Sequence, residues 1–250
     1  LYCLQTLSDD LSTYQYRTLG RQSVPLIIRT RGHRLEGIWH SGSPMGGLLN
    51  FMRGINFLVP RNMTKAAGFY NSIMQTDEPA LVIEPLNGYR VKEKMPINLG
   101  EYCYEFGKIE ILKEGKDISI ISYGSTLNLV IDSVPEFEDL GIDVEIIDIQ
   151  TLIPFDTDKE ILTSVKKTNR IIIIDEDVPG GASAYILHKL IDKQEIFTYL
   201  DSPPKTLTAK EHRPSYGTDG DYFSKPSVDQ IVESVYQIMN ESNPKKYPFL

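Results

Sequence analysis

Two spacings of apolar residues alternate along the 250-residue chain. Short runs of consecutive apolar residues suit strands buried on both faces, whereas apolar residues that return every three or four positions suit helices packed on one side. Leu4, Leu7, Leu11 and Tyr14 have helical spacing, so residues 1–17 read as a helix, followed by a turn at Leu19 and Gly20. Strand-like runs come next at 24–28, expected to be buried on both faces, at 55–59, ended by Pro60, and at 80–84. Between the last two, Asn62 is placed to cap a helix running to about Met74, with Ala66, Phe69, Tyr70, Ile73 and Met74 on one face. Strands and helices thus alternate, as parallel α/β units do.

From Asn87 to about Lys116 the pattern loosens, interrupted by Gly88, Pro96, Gly100, Gly107 and Gly115. The reading is one unit over 1–90, a linker over 91–116 and a second α/β unit over 117–250. In the second unit strands are expected at 118–122, 144–148, 170–175 and 196–200. Helices are expected from about Thr126, after Asp156, and from Gly180-Gly181 to about Ile191. A final helix opens at Ser227, which has capping-box spacing to Gln230 and leads an apolar stripe of Val228, Ile231, Val232, Val235 and Ile238. The chain begins without Met inside a helical pattern, so it is expected to be the C-terminal part of a longer polypeptide, carrying only half of any site.

Composition narrows the function classes. A hydrophobic content of 41% supports conventional cores without staples, and Cys3 and Cys103, far apart and outside any zinc-type spacing, are expected to be free thiols with no structural metal. A net charge of −8 with no basic stripe argues against nucleic acid, and no apolar run approaches a membrane span. Small molecules and other proteins are the expected partners, and the cytoplasm the expected location.

His40 is the candidate catalytic residue. It lies in Trp39-His40-Ser41-Gly42-Ser43-Pro44, within a glycine-rich stretch from Thr30 to Gly47 that is too long for a mere connector and follows a strand, where parallel sheets bind ligands. His33, His188 and His212 read as structural or solvent-facing. Adjacent carboxylates at a strand end point in different directions, so Asp175-Glu176-Asp177 is not expected to hold a metal unless Glu176 alone faces a ligand. Gly180-Gly181 lacks nucleotide-loop spacing and is explained by close backbone approach or a helix start.

The order of several short stretches resembles the beta subunit of the thiamine-diphosphate-dependent decarboxylating component of 2-oxo-acid dehydrogenases, in the transketolase superfamily. The stretches are Tyr14-Gln15-Tyr16-Arg17, His40-Ser41-Gly42-Ser43-Pro44, Val59-Pro60-Arg61, Lys65-Ala66-Ala67-Gly68, Ile83-Glu84-Pro85, Tyr89-Arg90, Ile147-Asp148 and Thr151-Leu152-Ile153-Pro154-Phe155-Asp156. Lys167-Thr168-Asn169-Arg170 and Glu176 complete them. The resemblance implies a truncated pyrimidine-binding-type parallel-sheet domain followed by a transketolase C-terminal α/β domain. It places His40 on the family's active-site histidine, with Tyr14 and Tyr16 as cofactor-binding candidates lining the same pocket.

It further implies oxidative decarboxylation of a 2-oxo acid, 2-oxoisovalerate-like from Ser43-Pro44, with the acyl group passed to a lipoyl acyltransferase. Thiamine diphosphate and magnesium belong to the complete enzyme, largely outside this chain, with an alpha subunit or alpha-like region as partner and oligomerisation through the C-terminal domain. The fragment alone is expected to be inactive. Gln150 stands where many relatives have Arg, the 211–216 segment departs from the usual proline-rich loop, and Gly217-Thr218-Asp219-Gly220-Asp221, followed by Tyr222, reads as a turn and not as a magnesium-diphosphate signature. Alternatives are the corresponding part of a pyruvate or acetoin dehydrogenase, a transketolase or a deoxyxylulose-phosphate synthase, or a non-catalytic assembly module.

Overall fold

A computed structural model describes residues 3–32, 45–212 and 223–248. Its strands, in chain order, are β1 (Ile27–Gly32), β2 (Asn56–Leu58), β3 (Ala80–Pro85), β4 (Glu110–Lys113), β5 (Ile118–Ser122), β6 (Val144–Asp148), β7 (Thr151–Ile153), β8 (Ile171–Ile174) and β9 (Lys205–Leu207). They form one sheet of order β1-β3-β2-β7 and another of order β4-β6-β5-β8-β9. Both are parallel except at one edge, where β7 runs antiparallel to β2 and β4 antiparallel to β6. The helices are α1 (Tyr14–Arg17), α2 (Met45–Phe51), α3 (Met63–Ile73), α4 (Thr126–Asp132), α5 (Val134–Asp139), α6 (Glu160–Thr168), α7 (Ala182–His188) and α8 (Val228–Ser242). This is the expected α/β architecture.

The period of two along each strand sorts its side chains into three apolar layers. Phe57, Leu81 and Ile83 from the first sheet share a middle layer with Ile121, Ile147, Ile171 and Ile173 from the second, filled by Met45 and Leu49 of α2 and Ala182 and Ile186 of α7. The alternate residues of the second sheet, Ile118, Ile120, Ile146, Ile172 and Ile174, pack under Leu127 and Val130 of α4 and Ile231, Val235 and Ile238 of α8. On the far side, Leu58, Ala80 and Val82 face Phe69 and Ile73 of α3.

Within 91–116, the aromatic stretch packs on α3, with Tyr104 and Phe106 beside Phe69, and Ser72 Oγ donates to Tyr104 O at 2.7 Å. The chain then enters the second sheet as β4. Both helix caps read from sequence are present: Asn62 accepts from Lys65 N at 2.8 Å, and Ser227 with Gln230 forms the reciprocal capping box.

Three elements differ from expectation. Residues 1–17 are not one helix: a π-helical turn at Thr6–Leu11 precedes the short α1. The strand expected at 24–28 starts at Ile27, because Pro25 has no N–H to give the ladder, and it is an edge strand with Arg29, Thr30 and Arg31 exposed, not one buried on both faces. Residues Ile196–Tyr199 form a 3₁₀ turn, in which Ile196 is buried and Phe197 exposed, and the sheet ends instead with the polar β9.

Candidate active site

The loop that carries His40, together with His33, Ser41 and Ser43, lies outside the described residues, but both of its anchors are described. It leaves from Gly32 at the carboxyl end of β1 and returns at Met45, the first residue of α2. Parallel sheets present loops and ligands at this end of their strands. Two groups of buried polar side chains flank the anchors.

The first surrounds Glu84, which lies beside Arg31 in the ladder, next to the departure point of the loop. Its side chain is 2% exposed and accepts hydrogen bonds from Tyr70 Oη at 2.6 Å, from Arg29 Nη2 at 2.9 Å, and from Tyr89 Oη. Burial alone would raise the carboxyl, but the three donors outweigh it and hold Glu84 below the usual carboxylate range. Burial and the adjacent carboxylate push the Tyr70 phenol up. Glu84 is therefore an anion near neutral pH, held by three donors.

The second group stands at the end of β8. Asp175 Oδ1 accepts from Tyr123 Oη at 2.7 Å and from Asp177 N at 3.0 Å, and its Oδ2 accepts from Ser183 N at 2.8 Å. Burial, with the charge of Asp177 adding to it, pushes Asp175 up to about 6 against these hydrogen bonds. Burial and Asp175 likewise hold the Tyr123 phenol well above its ordinary value.

Asp177 turns the other way. Its Oδ2 accepts from Gly46 N at 2.8 Å and from Ala182 N at 3.2 Å, while Oδ1 accepts from Val178 N at 2.9 Å. One carboxylate thus joins the first turn of α2 to the first turn of α7. Gly46 and Gly181 permit the approach: a Cβ on Gly46 would stand 2.6 Å from Gly181 Cα, and one on Gly181 would stand 2.3 Å from Asp177 Oδ2. Close backbone approach is thus the reason for a glycine at 181, as the sequence suggested.

A third polar cluster ties the units together further along. Arg61, just after β2, bonds Asp148 Oδ2 at 3.0 Å and also Glu110, which Lys65 meets at 2.8 Å. The Asp148 side chain is 1% exposed, and its burial pushes the carboxyl up to about 6 despite the pull of Arg61. Gln150 donates its backbone N–H to Asp148 Oδ1 at 2.9 Å and its side-chain amide to Lys108 O at 3.1 Å.

Tyr14 and Tyr16 line a cavity of about 160 Å³ with Ser23, Val24, Gly54 and Pro79. Those last residues precede β1, β2 and β3, so this cavity is at the amino ends of the strands, opposite the end from which the His40 loop departs. Tyr14 Oη donates to Gln22 Oε1 at 2.6 Å, and Tyr16 is 84% exposed. His188 is exposed and faces Asp192 at 3.1 Å, one helical turn on, and His212 is also exposed. Cys3 and Cys103 are free and exposed. Among the described residues no group of three or more His, Cys, Asp or Glu could hold a metal ion, and no helix is long and apolar enough to cross a membrane. The turn at 217–221 lies outside the described residues.

Sequence reasoning missed Asp177 as a link between units. Its adjacency to Asp175 was visible, but the partner amide is 131 residues away.

Two stacked α/β units built on largely parallel sheets meet where Asp177, after β8, accepts from Gly46 in the first turn of α2. The family "Transketolase, C-terminal domain" matches residues 107–231, half of the chain, and the chain belongs to that family. Among similar proteins are the beta subunit of the acetoin:2,6-dichlorophenolindophenol oxidoreductase of Bacillus subtilis, 28% identical over 96% of this chain and 69% of the relative, and the mitochondrial 2-oxoisovalerate dehydrogenase subunit beta of Chaetomium thermophilum, 32% identical over 79% of this chain and 43% of the relative. The pyruvate dehydrogenase E1 component subunit beta of Bacillus subtilis is 29% identical over 76% of this chain and 58% of its own length. The resemblance to beta subunits of 2-oxo-acid dehydrogenases is thereby shown, with the chain spanning between about half and three quarters of most of these relatives. In fold, the chain is similar to a solved split-gene transketolase, an inactive beta4 tetramer, with a TM-score of 0.69 at 16% identity over 92% of this chain and 75% of that one.

Proposed function

We propose that this chain is the beta part of an enzyme that oxidatively decarboxylates a 2-oxo acid and passes the acyl group to a lipoyl acyltransferase, with His40 as the catalytic residue. The observation that supports the reading is the position of the two residues that bracket 33–44: Gly32 ends a parallel strand at its carboxyl end, and Gly46, in the first turn of α2, donates to a buried carboxylate of the neighbouring unit. An imidazole there suits a proton donor to the acyl acceptor. The beta subunits to which the chain is similar support the same class.

The substrate proposed is a branched-chain 2-oxo acid such as 2-oxoisovalerate, with pyruvate and acetoin as the alternatives that relatives' names offer. Thiamine diphosphate and magnesium are the proposed cofactors of the complete enzyme. In this proposal most of their site belongs to an alpha chain or alpha-like region. Exposed Met95 and Ile97, 72% and 107% accessible, support a partner-covered surface. A cytoplasmic location is part of the same proposal.

The test is turnover of 2-oxoisovalerate, pyruvate and acetoin by the full-length enzyme with its partner chain, thiamine diphosphate, magnesium and lipoylated acceptor, for wild type and His40→Ala. The expected loss is about 100-fold or more, the scale of a general acid-base group. An unaffected variant would remove His40 from the chemistry, and an inactive wild type with bound cofactor would remove the substrate class.

A further inference from the structure

We infer that the 90–97 segment docks into the groove beside β4 of a second copy of this chain, so that two copies pair through this face. The inference concerns assembly and does not depend on the reaction proposed for His40.

The groove has a volume of about 590 Å³, within the range of about 300–1,000 Å³ typical of ligand pockets. Leu112 of β4, Ile146 of β6, Ile131 of α4, and Val134 and Pro135 of α5 line it. Its two cations are already paired, Arg61 with Glu110 and Asp148, and Lys113 with Asp143 Oδ1 at 3.3 Å. A charged group would gain little there, so the groove suits apolar side chains. The surface beside it is acidic: Asp132 and Glu136, each next in sequence to a lining residue, are exposed. The occupant that fits is an apolar segment bearing positive charge.

This chain carries such a segment. Val91, Met95 and Ile97 are exposed, and Arg90, Lys92 and Lys94 stand among them, also exposed, in a chain whose net charge is −8. The segment is held from beneath at both ends. Glu93 accepts from Met63 N and Thr64 N, both at 2.9 Å, and Asn71 Nδ2 donates to Leu99 O at 2.9 Å. A segment already fixed loses little further freedom on association. Since Met95 and Ile97 are exposed in their own chain, they do not fill its groove.

Segment and groove border the same helix start. Glu93 holds the first amides of α3, and Arg61, two residues before α3, lines the groove. A face with a projection beside a recess is complementary to itself. A twofold axis between them seats each segment in the other copy's groove, closes the assembly at two copies and sets the basic segment against the acidic surface.

The full-length chain is examined by sedimentation equilibrium, alone and with its partner chain. The variants are Ile97→Asp, Ile131→Asp, Lys92→Glu with Lys94→Glu, Asp132→Lys with Glu136→Lys, and these four reversals together. All the positions are exposed, and circular dichroism checks that each variant folds. The wild type should pair reversibly. Either aspartate should weaken pairing about 100-fold or more, and each double reversal about ten-fold, with the four together restoring most of it. A second measurement mixes copies bearing Ile97→Cys with copies bearing Ile131→Cys, both in a Cys3→Ser, Cys103→Ser background, and adds a short bis-maleimide. Peptides joined between positions 97 and 131 should dominate the cross-linked product.

A monomeric wild type overturns the inference, as does pairing that both aspartate variants leave intact. So does a fourfold reversal that restores nothing, or a mixture without the 97–131 link. A variant that still pairs but no longer holds the alpha chain assigns the segment to that contact and overturns it too. Turnover is not read, so a failure of the proposed reaction leaves each of these outcomes standing.

Discussion

Replacing Arg61 by Met should cost little in acid and much in base. The side chain is 18% exposed, and Met keeps most of its apolar stem while removing the charge that faces Asp148 and Glu110. Glu110 retains Lys65 at 2.8 Å, so the change falls on Asp148. That carboxyl titrates at about 6 in the folded protein and at about 3.9 when unfolded. The folded state therefore holds the proton more tightly, and stability from this group is full below about pH 4 and is lost as pH rises to about 6.

Above pH 6 the wild-type penalty is constant, because Asp148 ionises beside Arg61. Without Arg61 the carboxyl stays protonated to higher pH, and the penalty keeps growing by about 1.4 kcal/mol per pH unit. The cost of Arg61→Met is thus about zero from this source at pH 5 and about 3 kcal/mol at pH 8, near the lower end of the ~3–5 kcal/mol typical of breaking a buried ion pair. Urea unfolding of both proteins at pH 5 and pH 8, at equal ionic strength, gives the two differences. A cost that is the same at both pH values, or larger at pH 5, would refute the reasoning.

Asp175→Asn should gain on wild type by about 2 kcal/mol as pH rises from 4 to 7, because burial lifts the folded carboxyl by roughly two units and the amide does not titrate; a constant difference in urea would count against it. Glu84→Gln has the opposite sign. Its folded carboxyl is depressed, so its stabilisation is present above the unfolded value and lost as pH falls through the folded one. Unfolding at pH 7 should show a loss of about 2–3 kcal/mol, the worth of charged hydrogen bonds, shrinking in acid. Ser227→Ala removes the capping box of α8 and should lower unfolding free energy by about 1 kcal/mol, with no change in turnover.

The inner strands of the second sheet, β5, β6 and β8, were legible because buried parallel strands are written as unbroken apolar runs, as in the four isoleucines of β8. Edge strands were not. In β1 and β9 one side of the ladder meets solvent, so Arg29, Arg31 and Lys205 are tolerated and the apolar signal weakens. Ile196 misled for a related reason: one buried anchor with apolar neighbours reads as a strand, although Phe197 and Tyr199 point outward.

The excursion of β7 into the first sheet was likewise invisible, since its pairing with β2 depends on how the units stack. At the site, His40 was singled out from composition and position, and the residues that bracket its segment end β1 and begin α2. Tyr14 and Tyr16 were grouped with them only by resemblance, and the structure puts those two at the other end of the strands. Asp177 was passed over because a carboxylate that accepts distant backbone amides leaves no local pattern.

The shared middle layer bears on how such a protein can be recombined. Phe57, Leu81 and Ile83 press on the same filling as Ile121, Ile147 and Ile173, so a crossover in 91–116 that joins halves of two diverged relatives would bring together surfaces shaped for different mates. The outer layers, each sealed by its own helices, would pass through such a chimera intact. Inheritance therefore acts on the pair of units as one block, and viable hybrids should be those whose parents agree at the inner faces of the two sheets, however much they differ outside.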